Sequence, residues 1–197
     1  MSVPYEADGR AAQKGRTRSA LISAVRALIA QGVTPTVEAA AAAALISRTT
    51  AYRYFSSQRA LLIAAHPEIE MTSMLPPNPP QDPESRLDAV LHEFHRMILE
   101  TELQQRTALR LSLEPGSQPR DHLLRQGRAV GWIAEALSPL HTLLPEEDLM
   151  RLVLAIRSAT GIEALVWLTD VAELSREEAT ALMRGTAQAL LRSAVPG

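Results

Sequence analysis

The chain contains no cysteine, and only 4% of its 197 residues are aromatic. The absence of cysteine excludes disulfide bonds, thiolate zinc sites and cysteine nucleophiles, and it is typical of proteins in a reducing cytoplasm. No uninterrupted apolar run approaches the roughly 20 residues that a membrane helix needs. Residues 1–18 lack the apolar segment of a secretory signal. We therefore expect a soluble, cytoplasmic protein with no membrane partner.

Apolar residues recur at helical spacing along the chain, and no segment shows the alternation of a β-strand. With 46% apolar residues and few aromatics, this pattern predicts an all-α fold built from alanine- and leucine-rich helices. The predicted helices span residues 11–31, 37–44, 48–55, 58–65, 84–103, 104–113, 120–137, 146–168 and 176–194.

Proline marks the predicted domain boundary. Residues 67–83 contain six prolines, which exclude one continuous helix and favour a semi-rigid, partly extended joint. We therefore predict one domain over residues 1–66, the joint over 67–83, and a second, helical domain over 84–197.

The net charge of −2 is unevenly distributed along the chain. Residues 1–65 carry 8 Lys and Arg against 3 Asp and Glu, whereas residues 66–197 carry 12 against 19. A basic N-terminal third on an acidic body favours a polyanionic partner at one end. A solvated basic arm would show the same imbalance, so the charge indicates nucleic acid only together with a binding motif.

Residues 36–62 have the pattern of two short helices meeting at a tight turn, followed by a third helix. Thr36 and Ser47 are N-cap residues, whose side-chain oxygens can accept backbone N–H bonds at the two helix starts. In the second helix Ala51 and Phe55 lie at i and i+4 on an inward face, and the other positions are rich in donors and hydroxyls. This is the helix-turn-helix pattern that enters the DNA major groove.

Residues 21–65 resemble the DNA-binding domain of the TetR family of bacterial transcriptional regulators. The most telling part is ISRTTAYRYFSSQRAL, residues 46–61. Leu45 stands where the family usually has glycine, and Gln58 stands where it usually has a phosphate-contacting lysine. The resemblance implies a three-helix, helix-turn-helix DNA-binding domain within residues 1–66 and a helical ligand-binding and dimerisation domain over 84–197. It also implies a homodimeric DNA-binding repressor that occupies a palindromic operator and is released by a small-molecule inducer. Activation by the same fold is the alternative mode.

The predicted recognition helix supplies the base contacts. Arg48 and Thr49 lie near its N-terminus, where an arginine can bind guanine O6 and N7 and a threonine methyl can contact the thymine methyl. For Thr50, Tyr52 and Tyr54 the resemblance implies contacts to phosphate or bases; packing with an exposed hydroxyl is the alternative for the tyrosines. The predicted DNA contacts are Thr36, Arg48, Thr49, Thr50, Tyr52, Arg53, Tyr54 and Gln58.

Other groups would contact the DNA backbone. Thr36 directs a hydroxyl and the N–H groups of a helix N-terminus toward a phosphate, and Arg53 faces the backbone or solvent. Four basic residues lie upstream, on either a phosphate-binding arm or a solvated one. They are Arg10, Lys14, Arg16 and Arg18.

The predicted helix over residues 146–168 is apolar on nearly all sides. Such a helix must be covered all round, which predicts a core on one side and a subunit interface on the other. Four small residues would let helices from two subunits approach closely. They are Gly161, Ala164, Gly185 and Ala189. In TetR-like proteins the last two long helices form a dimeric four-helix bundle, so we expect a homodimer; packing within one subunit is the alternative.

A ligand pocket is predicted in the C-terminal domain, because aromatic and charged residues occur there within otherwise apolar helices. Apolar walls with a few polar anchors are typical of small-molecule sites. Each candidate has a core or interface role as its alternative. The candidates are Met97, Arg110, Trp132, Arg157, Glu163 and Trp167.

An enzymatic function has little support in the sequence. Walker, G-x-S-x-G and H-E-x-x-H motifs are absent. Asp88, His92 and His95 share one helix face and could bind a metal, but the paired Glu-x-x-His motifs of di-iron bundles are missing. We predict no catalytic residue, no metal and no cofactor. A helical protein-interaction module would explain the apolar helix but not the polar recognition helix.

Overall fold

The computed structural model describes residues 5–65, 71–113 and 128–195. Within those ranges every regular element is a helix, so the predicted all-α class is confirmed. The chain divides into two compact units, Met1–His66 and Pro67–Gly197.

Four helices form the first unit: α1 (Tyr5–Ala30), α2 (Val37–Ala43), α3 (Arg48–Tyr54) and α4 (Gln58–Ala65). Helix α1 packs against α2 and α4, and α2 packs against α3. Because apolar residues of all four helices meet, the unit has a small core of its own. Its largest members are Leu21, Ile22, Val25, Ile29, Val37, Phe55, Leu61 and Leu62.

Hydroxyl side chains fix the starts of the short helices, as the capping pattern predicts. The Thr36 hydroxyl oxygen accepts a hydrogen bond from the Ala39 N–H at 3.1 Å, and that of Ser47 accepts one from the Thr50 N–H at 3.2 Å. Each bond satisfies a backbone donor that has no partner inside its helix. The observed helix starts therefore match the predicted ones.

The turn between α2 and α3 contains the unusual backbone conformation of this unit. Leu45 has a φ of +56°, and 95% of its surface is exposed. The Ile46 N–H donates to the Ala41 carbonyl oxygen at 2.8 Å, which closes the turn after α2. A left-handed conformation brings the Cβ of an L-residue close to the following carbonyl oxygen, which costs roughly 1–2 kcal/mol.

Replacing Leu45 by glycine is therefore expected to stabilise the protein by about 1 kcal/mol, because glycine adopts this conformation without the Cβ clash. Denaturant unfolding monitored by circular dichroism would measure the change. The matched control is Leu45→Ala, which removes the exposed side chain but keeps the Cβ and should leave the midpoint nearly unchanged. Equal midpoints for the glycine and alanine variants would show that the turn is unstrained.

The second unit contains α5 (Pro83–Glu100), α6 (Glu102–Ser112), α7 (Ala129–Ala136), a 3-10 helix (Ser138–Thr142), α8 (Glu146–Thr160), α9 (Ile162–Asp170) and α10 (Arg176–Ala194). Helix α8 packs against α7 and α10, and α5 packs against the same two helices. An apolar stripe on α5 is buried in this core. It consists of Leu87, Val90, Leu91, Phe94 and Ile98.

The single helix predicted over residues 146–168 is wrong. Gly161 has an extended backbone, with φ −89° and ψ −177°, and separates α8 from α9. A Cβ at Gly161 would overlap the guanidinium of Arg157, which fills the space beside the glycine. Because its own chain occupies this space, Gly161 is not the open notch for a partner helix that its small size suggests.

Two further predicted segments are described only in part. The part of the helix predicted over residues 120–137 that precedes residue 128 lies outside the described residues, and a 3-10 helix follows it at Ser138–Thr142. Of the joint predicted over residues 67–83, the described part lacks helix up to Pro83 but packs on the second unit. Met74 is buried in that core, and the Arg128 guanidinium donates to the Met71 carbonyl oxygen at 3.0 Å.

The segment Glu146–Asp170 is long and apolar enough to cross a membrane when judged by length and composition alone. The core helix of a soluble protein passes the same test. Here α8 and α9 contribute Leu149, Leu152, Val153, Ile156 and Leu165 to the core of the second unit. The structure is therefore consistent with a soluble protein.

Candidate nucleic-acid interface

Helix α3 has a buried side and an exposed side. Ala51 and the C-cap residue Phe55 are buried, as their i, i+4 spacing predicts. Among the predicted DNA contacts on this helix, Arg48, Thr49, Tyr52 and Arg53 are exposed, and Thr50 and Tyr54 are half-buried. The exposed side therefore carries two guanidinium groups, a hydroxyl and a phenol, all of which can donate hydrogen bonds.

A carboxylate of α2 lies against these donors. The Tyr52 hydroxyl donates to Glu38 Oε1 at 2.6 Å, and Arg48 Nη2 donates to the same oxygen at 3.0 Å. Glu38 is the one acidic residue between positions 9 and 67 of the sequence. We did not predict its role, because the contact joins residues 10 and 14 positions apart across a turn.

These contacts determine the protonation states of Glu38 and Tyr52. The hydrogen bond from Tyr52 has the largest effect on the carboxylate, and together with a backbone N–H and the Arg48 guanidinium it holds the pKa of Glu38 at about 2. The same bond raises the pKa of the Tyr52 phenol. At neutral pH Glu38 is therefore ionised and Tyr52 is protonated, so the phenol is the donor.

Two of the predicted DNA-contact residues, Thr36 and Gln58, form hydrogen bonds that stabilise the first unit. Thr36 is exposed, and its hydroxyl oxygen caps α2. The Gln58 side-chain amide donates to the Pro35 carbonyl oxygen at 2.9 Å, which ties the start of α4 to the loop before α2. Gln58 thus stabilises the loop that leads to Thr36, the N-cap residue of α2.

The upstream basic residues lie on a helix, not on an irregular arm. Lys14, Arg16 and Arg18 are exposed on α1, and the side chain of Arg10 lies outside the described residues. The Arg18 guanidinium lies 5.6 Å from the centre of the Phe55 ring. This cation–π contact places positive charge beside the C-cap residue of α3.

The structure brings together three of the six predicted ligand residues. The ring centre of Trp132 and the guanidinium of Arg157 both lie 6.0 Å from the centre of the Phe94 ring. Arg157 Nη1 donates a hydrogen bond to Glu163 Oε2 at 3.2 Å. Met97 is buried elsewhere on α5, Arg110 is exposed on α6, and Trp167 is exposed on α9. The six therefore do not form one pocket.

Among the grooves on the described part of the second unit, two bear on the predicted ligand site. The larger, about 520 Å³, lies between residues 71–76 and α5 and contains none of the predicted ligand residues. The smaller, about 280 Å³, is lined by Trp167 with residues of α8, α9 and α10, among them Leu182 and Met183. Trp167 thus belongs to a surface groove.

The histidine face of α5 is divided between core and surface. His95 is buried and its Nε2 lies 3.2 Å from the Thr160 carbonyl oxygen, whereas Asp88 and His92 are exposed and line the larger groove. Burial lowers the pKa of His95 to about 4, so the imidazole is neutral. Among the described residues no group of three His, Asp or Glu side chains could hold a metal ion.

No protein-family model matches the chain, and no curated protein is significantly similar to it.

Proposed function

We propose that the protein is a TetR-like transcriptional regulator whose α2 and α3 form a helix-turn-helix that binds double-stranded DNA. The observation that carries the proposal is the exposed side of α3, where Arg48, Thr49, Tyr52 and Arg53 present donors around a buried Ala51. Arginine and hydroxyl groups on a short helix match the acceptors of base edges and phosphates. The excess of positive charge in residues 1–65 supports the same assignment.

The protein acts as a homodimer in this proposal. Two heads on a two-fold axis bind two half-sites of a palindrome, which gives far higher affinity than one short helix can supply. The support is a set of large apolar residues exposed on α8, on α9 and its C-cap, and on α10, where apolar patches mark interfaces. The set comprises Met150, Leu154, Trp167, Val171 and Leu182.

Repression is the proposed mode, with release by a small-molecule inducer that binds the second unit. An inducer lowers operator affinity only if it binds the two conformations of the dimer unequally. The cluster around Phe94 supports an inducer site there, since His95 Nδ1 and Trp132 Nε1 are buried without hydrogen-bond partners among the described residues. A bound molecule could pair with these atoms.

The test is a selection from fragmented genomic DNA of the source organism, repeated at several salt concentrations. The wild-type protein is expected to enrich a palindrome with steep salt dependence. Arg48→Ala and Tyr52→Ala should each weaken binding to it by about 1–3 kcal/mol per half-site, the usual size of a direct base contact.

The matched control is Arg96→Ala, because Arg96 is also exposed and paired with a carboxylate but lies on α5. It should bind the palindrome as the wild type does. A folded wild-type dimer that enriches no duplex would refute the proposal. That result would favour the second candidate, a helical protein-interaction module, which the exposed apolar residues of α8, α10 and the α9 region also fit.

A further inference from the structure

Glu38 lies within the proposed DNA-binding surface, yet its charge is the same as that of DNA. Its side chain is 35% exposed, and its partners Arg48 and Tyr52 are 74% and 42% exposed. Helix α2 therefore brings a carboxylate to the place where α3 would meet base edges. A carboxylate that only repelled DNA would weaken binding at this surface. The question is therefore which group on DNA the carboxylate can bind.

The pairing with Arg48 does not remove Glu38 from the surface. An ion pair this exposed contributes little stability, so the guanidinium can turn to an acceptor on DNA at small cost. The carboxylate then needs donors of its own, because an ionised oxygen beside a polyanion is otherwise repelled. Tyr52 supplies one donor at 2.6 Å and the backbone N–H of Glu38 supplies another. A carboxylate can accept about four hydrogen bonds, so positions remain open to a donor on the DNA.

The base pairs differ in whether their major-groove edges can form hydrogen bonds with both the Arg48 guanidinium and the Glu38 carboxylate. A C·G pair presents guanine N7 and O6 as adjacent acceptors, and the cytosine amino group as a donor next to them. An arginine takes the two acceptors and a neighbouring carboxylate takes the amino donor. An A·T pair offers an amino donor between two acceptors, so a bidentate arginine would meet a donor and the carboxylate would meet thymine O4.

We propose that Glu38 determines base specificity by reading one C·G pair in each half-site together with Arg48. The carboxylate accepts from the cytosine amino group while Arg48 binds guanine, and Tyr52 holds the carboxylate in place. The 3.0 Å contact between Arg48 and Glu38 sets the two groups side by side, as adjacent atoms of one base-pair edge require. This inference rests on the proposed DNA-binding function and adds its sequence preference.

Selection from a randomised duplex library with purified full-length protein tests the inference. The wild type is expected to prefer C·G over other pairs at one position of each half-site by about 10-fold, the usual size of a bidentate contact. Glu38→Gln should reduce that preference to within about 2-fold and leave the other positions unchanged, because an amide can donate as well as accept. It should also bind random duplex more tightly, since one repulsive charge is lost.

Glu100→Gln is the matched control, because Glu100 is likewise exposed and paired with an arginine but lies on α5. It should keep the wild-type preference and the wild-type affinity for random duplex. Thermal unfolding monitored by circular dichroism checks that both variants fold.

Two negative outcomes are distinguishable. If the wild type and Glu38→Gln select the same base at every position, Glu38 does not read DNA, and the inference is refuted while the regulator function stands. If neither protein nor the control enriches any duplex, the proposed function itself is refuted and the inference falls with it.

Discussion

Replacing Trp167 by glutamate is expected to convert the proposed homodimer to a monomer at micromolar concentrations. Trp167 is 57% exposed and, with Leu182, lines an apolar groove on the second unit. Large aromatic side chains at the centre of an interface commonly contribute 2 kcal/mol or more each, so their loss weakens association at least about 30-fold. A charge in the same place adds a desolvation cost. Leu182→Glu should have the same effect.

Sedimentation velocity over a concentration series would measure the dissociation constant of the dimer. In the proposed regulator, DNA binding should weaken as the dimer dissociates, because two tethered heads bind more tightly than one. Leu143→Glu is the control. Leu143 is 61% exposed, but it follows the 3-10 helix and lies outside the groove. If Trp167→Glu and Leu182→Glu both remain dimeric, the subunits associate through another surface.

Acidification from pH 7 to pH 4 is expected to lower the free energy of unfolding by about 3 kcal/mol through His95 alone. His95 is 4% exposed, and burial lowers its pKa from 6.5 to about 4. Below pH 6.5 the unfolded chain takes up a proton that the folded chain does not, so the unfolded state gains stability as the pH falls. A difference of about 2.5 in pKa corresponds to about 3 kcal/mol, a substantial part of the usual 5–15 kcal/mol.

Urea unfolding between pH 7 and pH 4 would measure this loss. In this window the carboxylates of Glu38 and Asp170, whose pKa values lie at about 2, stay ionised in the folded protein. His95→Gln keeps a donor for the Thr160 carbonyl oxygen but cannot titrate, so its stability should change much less with pH. The control His92→Gln, on the exposed side of α5, should behave as the wild type. An unchanged pH dependence in His95→Gln would show that other groups cause it.

The larger groove was not predicted from the sequence at all. Met71 and Met74 come from the proline-rich segment, and Asp88 and His92 come from α5. A proline-rich segment has no periodicity that indicates which helix it will cover. Its packing on α5 could therefore be established only from the tertiary structure.

The ligand candidates show why composition is a weak guide to pockets. Trp132 and Trp167 look alike in the sequence, since each lies in a helix rich in apolar residues. The structure buries Trp132 against Phe94 and leaves Trp167 exposed in a groove. Whether an aromatic residue faces the core or the solvent depends on which helices cover it, and helix-helix pairing over long sequence separations leaves no local signal.

The helical class and most helix starts of this protein could be predicted from the sequence alone. Helical periodicity and capping by Thr36, Ser47 and Ser175 are local effects, since the interacting atoms lie within a few residues of each other. Leu45 was also identified from the sequence as the unusual turn residue, and its φ of +56° is the conformation for which glycine is normally used.

The contacts between residues far apart in the sequence could be established only from the tertiary structure. It broke the long apolar helix at Gly161, where the Arg157 guanidinium occupies the space of a side chain. It also placed the Glu38 carboxylate against Arg48 and Tyr52, across the turn between two helices. These contacts depend on the angle at which helices cross, which is set by the packing of the whole unit and by no single segment.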